Sequence, residues 1–388
     1  MYSFDKMTER RNTGAMKWDE VSADAIPMWV ADMDFETAPE IREALAKRVE
    51  HGIFGYQLVT DDWYQAYISW WEKRHHFKMQ KDWLMFCTGV VPAISSIVRK
   101  LTTPGEKVLI QTPVYNIFFN SIRNNGCTAV QCPLAYDGTE YSIDFEELEE
   151  KLSDPQTTLF ILCNPHNPVG KIWDRETLAR IGELCQKHHV IVVSDEIHCD
   201  LTDPGYEYVP YASASDICRD NSITCMAPTK TFSIPGIQTA AIMVSDPFLR
   251  HKVNRGINTD EVAEPNSLAI TAAVAAFEKG ENWLEELREY LAENKGIVRE
   301  TIACEVPQVK VVPSKATYLL WLDCSAITED ATELQKFLAD EYKVVLNEGE
   351  EYGLAGKKFL RLNTACPRER LRDGLDRLVK GLKAYKES

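Results

Sequence analysis

The sequence predicts an α/β fold: a large, mostly parallel sheet covered by helices on both faces, followed by a smaller α+β unit. Three observations carry this expectation. Short apolar runs rich in β-branched residues recur through the middle of the chain: KVLIQ, TLFILC, VIVVS, SITCM and AAIMV. Helical patterns such as RETLARIGELCQKH separate most of them, and buried parallel strands alternate with covering helices in this way. From about residue 281 the pattern changes to one long helix followed by interleaved strands and helices.

In chain order, residues 1–45 read as a polar arm with aromatic insertions leading into a helix, PEIREALAKRVE, and are expected to pack with the C-terminal unit. Residues 46–285 hold the five apolar runs and form the large α/β unit. Residues 286–388 form the smaller unit. It contains the strands VKVVP, ATYLLWLD and KKFLRLN, a helix near ATELQKFLADEY and a final helix. The long helix ENWLEELREYLAENKGIVRETI crosses the boundary between the two. There are no internal repeats and no low-complexity linker.

Composition narrows the function classes. A length of 388 residues suggests two or three domains at ~150 residues each, and 45% hydrophobic residues suffice for a large core. With 43 basic and 59 acidic residues the formal charge is −16. Such a surface repels nucleic acid and anionic lipid. MYSFDKMTERRNTGAMKWDE has no apolar core of a secretory signal. The longest apolar-leaning run, LAITAAVAAF, is half of the ~20 residues a membrane span needs. The eleven cysteines are scattered without CxxC pairs, which fits reduced thiols and a cytoplasmic location. The adjacent pairs His75-His76 and His188-His189 point apart on any regular element, so neither is read as a metal site.

In an open α/β sheet, ligands bind beyond the carboxyl ends of the strands. KVLIQ is followed by Tyr115, TLFILC by Asn164-Pro-His-Asn167, VIVVS by Asp195-Glu-Ile-His198, and SITCM by Thr229-Lys230. An aromatic ring, amides, a carboxylate and an amine thus gather at one rim, suited to gripping a planar, cationic, carbonyl-bearing ring. Upstream, Thr88-Gly89 leads into an apolar-periodic helix with Pro92 in its first turn. The free N–H groups of a helix start suit an anion. Each residue also has a plainer reading: Tyr115 as a packed aromatic, Asn164 and Asn167 as turn formers, Asp195 as an N-cap, His198 as a core histidine and Lys230 as a solvated loop lysine.

NPHNPVG, SDEIH and APTKTF, in this order with helices between, resemble the fold-type I pyridoxal-phosphate enzymes, the class I/II aminotransferases. KWD, PMWVADMDF, HGIFGY, WWEKRH, TGVVPAIS, IQTPVY and FLRLNTACPR resemble the MalY/PatB-type cystathionine β-lyases, or C–S lyases, over residues 17 to 368. The resemblance implies pyridoxal 5′-phosphate as cofactor. Lys230 would hold it as a Schiff base and act as acid and base, and Asp195 would pair with the pyridine nitrogen. Tyr115 would stack on the ring, Asn167 would bond its O3′ oxygen, and His198 would complete the cofactor pocket. Gly89 and Val90 amides with the Thr229 hydroxyl would hold the phosphate. Tyr56 would reach that phosphate from a neighbouring subunit, which implies a homodimer with shared sites. Arg361 would clamp the substrate carboxylate; without the resemblance it reads as a surface salt bridge.

The chain departs from the wider pattern in places. His198 stands where most class I/II aminotransferases have Tyr, and Gln238 where many have a phosphate-binding Arg. TKTFS replaces the usual SKTFN of the lyase branch, placing Ser233 in the Asn position. Of the NPHNP prolines, the one after Asn167 is expected to be cis if either is. The activity implied is β-elimination from L-cystathionine or a related cysteine S-conjugate, releasing a thiol, pyruvate and ammonia. Transamination on the same cofactor is the alternative. A second role as a regulatory binding protein, known for some members of the family, has no surface that the sequence specifies.

Overall fold

The computed structural model describes residues 2–387. Its main sheet has seven strands in the order Leu84–Cys87, Ala240–Met243, Ser222–Met226, Ile191–Asp195, Thr157–Cys163, Lys107–Ile110 and Thr128–Gln131. All run the same way except Ala240–Met243, which is antiparallel to both neighbours. All five apolar runs are therefore strands of one sheet.

Alternation along the strands explains the two covered faces. Val193 and Cys225 point into a core with the helices Val90–Leu101 and Pro247–Thr259. Their neighbours Val192 and Met226 point the other way. Val192 meets Leu178, Ile181 and Cys185 of Arg175–Lys187. Met226 joins an aromatic-rich core with Trp63, Tyr67 and Trp70 of Asp61–His75 and Phe277 of Ala269–Lys279. Period-2 side chains buried on both sides give the continuous apolar runs seen in the sequence.

A second, four-stranded sheet is built from Lys310–Val311, Leu319–Asp323, Phe359–Asn363 and Asn347–Glu348. Ala331–Glu341 and Arg368–Glu387 pack with it around Leu320, Leu360 and Leu378. The long helix Glu281–Glu305 reaches both units: Leu284 and Leu287 lie in the aromatic-rich core, Val298 and Ile302 in the C-terminal one. The N-terminal arm divides. Ile26–Pro27 pairs in parallel with Val344–Val345 of the C-terminal unit, whereas Pro39–Glu50 packs against Ala269–Lys279 beside the main sheet.

Candidate active site

The carboxyl ends of the parallel strands open into one cavity of about 270 Å³. Gly89, Val90, Tyr115, Asn167, Asp195, His198, Thr229 and Lys230 all line it. These residues are contributed by the ends of separate strands and the turns that follow them. Parallel pairing in register aligns those ends, which is why residues more than a hundred positions apart converge.

Lys230 sits in a four-residue helix, Pro228–Thr231, with Pro228 in its first turn. Its Nζ donates to the Ala31 carbonyl at 2.5 Å. Burial lowers its pKa to about 8; Arg361 acts in the same direction, while Asp32 and Asp195 oppose it. Asp195 ends the strand Ile191–Asp195 and is 5% exposed. The one hydrogen bond to its carboxyl among the described residues comes from the Ile197 amide, 3.1 Å away. Burial raises this carboxyl to about 7, against the pull of that amide and of Lys230. It caps no helix, so the N-cap reading falls.

His198 is buried, with its ring edge-on to Tyr318 at 6.0 Å and no hydrogen-bond partner at Nδ1. Burial drives its pKa down to about 3, helped by Lys230 and Arg361, so the imidazole is neutral. On the cavity lining, Val90–Leu101 begins directly after Gly89. Its first-turn amides at Val90 and Val91 have no intrahelical acceptor, and the next residue, Pro92, has no N–H to offer. Thr88, Gly89, Val90 and Val91 all border the cavity there.

Arg361 is not at the surface. It is 3% exposed on the strand Phe359–Asn363 and has no carboxylate within ion-pair distance among the described residues. Its guanidinium donates to Asn167 Oδ1 (3.3 Å), the Trp29 carbonyl (2.9 Å) and Asn347 Oδ1 (2.7 Å), and lies over the Tyr352 ring. Nε is left without a partner. A buried cation held only by neutral groups can receive an anion. Because Asn167 Oδ1 accepts from Arg361, its Nδ2 is the group free to donate into the cavity.

Tyr56, also expected at the site, does not line the cavity. It is fully exposed, in a segment where Ile53, Phe54 and Leu58 are exposed too. Gln238 lines the cavity in a left-handed conformation, φ +58°. Ser233, φ +55°, sits where Asn is the favoured non-glycine residue, and its hydroxyl reaches the Phe35 carbonyl at 3.4 Å. Both NPHNP prolines are cis, the one after Asn164 as well as the expected one after Asn167, and so is Pro113.

Sequence reasoning missed the strap over the site. Residues 29–33 present consecutive carbonyls, each held by a side chain from elsewhere. Trp29 accepts from Arg361, Val30 from Asn363, Ala31 from Lys230 and Tyr318, Asp32 from Lys17 and Asn363, and Met33 from Arg10. PMWVADMDF stood out in the sequence, but these contacts are main-chain and long-range, and no local spacing encodes them.

The comparisons agree with this architecture. A model of the aminotransferase class I and II family matches residues 23–378. Cystathionine beta-lyase PatB of Bacillus subtilis (strain 168) is 44% identical over 98% of this chain and 100% of its own. Cystalysin from Treponema denticola, whose crystal structure contains a pyridoxal 5′-phosphate cofactor, superposes with TM-score 0.96 at 32% identity, covering 99% of each chain. The PLP-bound C–S lyase from Staphylococcus hominis gives TM-score 0.93 at 32% identity over 98% of each chain. With the sheet order, the strand-end cavity and these likenesses in agreement, the chain belongs to the aminotransferase class I and II family.

Proposed function

We propose that this protein is a pyridoxal-5′-phosphate-dependent carbon–sulfur β-lyase that cleaves L-cystathionine or a related L-cysteine S-conjugate to a thiol, pyruvate and ammonia. The observation that carries the reading is the meeting of Lys230 and Asp195 in one cavity that an open helix start also lines. The residues present fit the cofactor. Asp195, a buried carboxyl with a single N–H donor, suits a protonated ring nitrogen. The amides of Gly89, Val90 and Val91 and the Thr229 hydroxyl suit a phosphate. Tyr115 offers a ring face and Asn167 Nδ2 a donor. The names of the full-length relatives support the lyase branch.

When bound, the cofactor supplies a cationic ring that withdraws electrons from the substrate's Cα. The chain supplies the rest. Arg361 binds the α-carboxylate and so fixes the Cα–H bond relative to Lys230. The Lys230 amine, with its pKa near 8, takes the Cα proton, and the sulfur substituent leaves from Cβ. His198, neutral and buried, adds no charge beside the ring. The strap at residues 29–33 holds the Lys230 amine at the cavity through the Ala31 carbonyl.

Tyr56 enters the same reading as a phosphate ligand of a partner's site, which makes the functional unit a homodimer. Its full exposure and the apolar side chains around it support this. Eleven unpaired cysteines support a reducing, cytoplasmic location, and no helix among the described residues is long and apolar enough to cross a membrane.

The test is pyruvate release from L-cystathionine by protein supplied with pyridoxal 5′-phosphate. Wild-type protein should release it, and Lys230→Ala should lose at least ~10²-fold. A keto acid that keeps the whole substrate side chain would instead assign transamination. Wild-type activity in Lys230→Ala would end the proposal.

A further inference from the structure

We propose that Asp200 is a positioning residue for Lys230: its buried carboxylate ties the turn carrying the lysine, through Thr231, to Trp70, Arg74 and His75 of the helix Asp61–His75. The inference rests on the reading of Lys230 given above.

Pro228–Thr231 is too short to hold itself, since one turn of helix is unstable alone. Its main-chain bonds, Phe232 N–H to the Pro228 carbonyl and Ile234 N–H to the Thr229 carbonyl, fix the backbone of the turn but not its side chains. Its side chains must therefore be fixed from outside. Thr231, directly after Lys230, donates its hydroxyl to Asp200 Oδ2 at 3.1 Å. On the other oxygen, Oδ1, Asp200 accepts from Trp70 Nε1 (3.0 Å), meets His75 Nε2 (2.9 Å) and pairs with Arg74 Nε (3.1 Å). These three residues are the first Trp, the Arg and the His of WWEKRH, none of which lines the candidate site.

The carboxylate has no solvent exposure. An ionised carboxylate in such a place is costly unless paired and hydrogen-bonded. Burial alone would raise its pKa, yet His75, Arg74 and Trp70 hold it below the ordinary carboxylate value. The network also reaches the other flank of the site. The His75 ring meets Tyr208 edge-on at 5.0 Å, and the Tyr208 hydroxyl donates to Glu196, the neighbour of Asp195. One buried anion, itself on the turn that follows Asp195 and carries His198, thus holds the segment that carries Lys230. A metal is a poorer reading of the same group. The His75, Cys199 and Asp200 ligand atoms lie within 4.8 Å of one another, but Arg74 already occupies the carboxylate, and a metal cation would face its guanidinium.

Two measurements on cofactor-free protein separate positioning from general stability. The first is affinity for pyridoxine 5′-phosphate, which carries an alcohol in place of the aldehyde and fills the ring and phosphate positions without reacting with an amine. The second is the rate at which Lys230 Nζ condenses with the aldehyde of pyridoxal 5′-phosphate, releasing one water, followed by visible absorbance. Thr231→Val and Asp200→Asn should keep the affinity within about twofold and slow the condensation about tenfold or more. Thr231→Ser, which keeps the hydroxyl, should restore the rate. The proposal is overturned if Thr231→Val condenses at the wild-type rate, if rate and affinity fall by the same factor, or if serine does not rescue. Thr231→Val decides the matter should Asp200→Asn fail to fold. Wild-type protein that binds pyridoxine 5′-phosphate but never condenses would overturn the reading of Lys230 itself.

Discussion

Asp195→Asn should stabilise the cofactor-free protein at neutral and alkaline pH. The Asp195 carboxyl ionises near 3.8 in the unfolded chain, but burial holds it to about 7 in the folded one. Between these values the folded state binds more protons, so stability falls as pH rises through the window and the loss is complete above it. At about 1.4 kcal/mol per pH unit the full loss approaches about 4 kcal/mol, of which somewhat under half is reached by pH 5. Water in the adjoining cavity screens part of the cost, so we expect about 2–3 kcal/mol of further loss between pH 5 and pH 8. Asn has almost the same shape and no charge to desolvate. The assay is urea unfolding of cofactor-free wild type and variant at several pH values. Glu196, also raised to about 7 by burial, adds the same slope to both proteins and cancels. The difference should favour the variant increasingly up to pH 8 and then level off. Saturating pyridoxal 5′-phosphate should reverse the order at pH 8, because only the carboxylate can pair with a protonated ring nitrogen. A difference that stays flat from pH 5 to pH 8 would refute the reasoning.

Other outcomes follow from the same geometry. Arg361→Lys replaces a guanidinium that donates to Asn167, Trp29 and Asn347 with a point charge; KM for L-cystathionine should rise about 10–100-fold while affinity for the cofactor changes little. The rate of cofactor condensation should climb with pH to about 8 and plateau above it, because the neutral Lys230 amine is the reactive form; a rate flat from pH 6 to 9 would contradict this. Mixing inactive Lys230→Ala with a Tyr56→Ala variant, after dissociation and reassociation, should regain activity if Tyr56 serves the neighbour's site, and remain inactive if it does not. Gly170→Ala should cost more than about 1 kcal/mol in urea unfolding, since Gly170 has φ +67° and an added Cβ would lie 2.1 Å from Ser314 Oγ.

The strands were legible because burial on both faces leaves an apolar, β-branched run that needs no partner to be recognised, as in Thr157–Cys163 and Ile191–Asp195. The rim followed from topology, since parallel strands place their carboxyl ends together. Arg361 was different. Its residue type gave no hint of burial, and the surface salt bridge suggested by charge alone gives way to a guanidinium held by two amides and a carbonyl. The strap at residues 29–33 was invisible for a related reason: its main-chain acceptors meet Asn363, Tyr318 and Lys230 across most of the chain's length. The arm reads as packing with the C-terminal unit. Its strand does so, pairing with Val344–Val345, while its helix packs against Ala269–Lys279 beside the main sheet, and local sequence does not choose between two such faces.

The electrostatics of the cavity argue for one kind of ligand. Burial pushes Asp195 up towards its neutral acid, Lys230 down towards its neutral amine and His198 down to an imidazole that does not protonate near pH 7. All three shifts suppress charge, as a low-dielectric pocket must. Restoring the Asp195 charge takes a cation at the carboxyl end of Ile191–Asp195, while the helix start at Val90 and the Arg361 guanidinium each call for an anion. These sites belong to different elements, so no small inorganic ion satisfies them together. A protonated ring bearing a phosphate, together with a substrate bearing a carboxylate, would do so with one charged group for each. The same arrangement leaves Lys230 as the amine whose neutrality is useful, since an ammonium could neither condense with an aldehyde nor accept a proton from Cα.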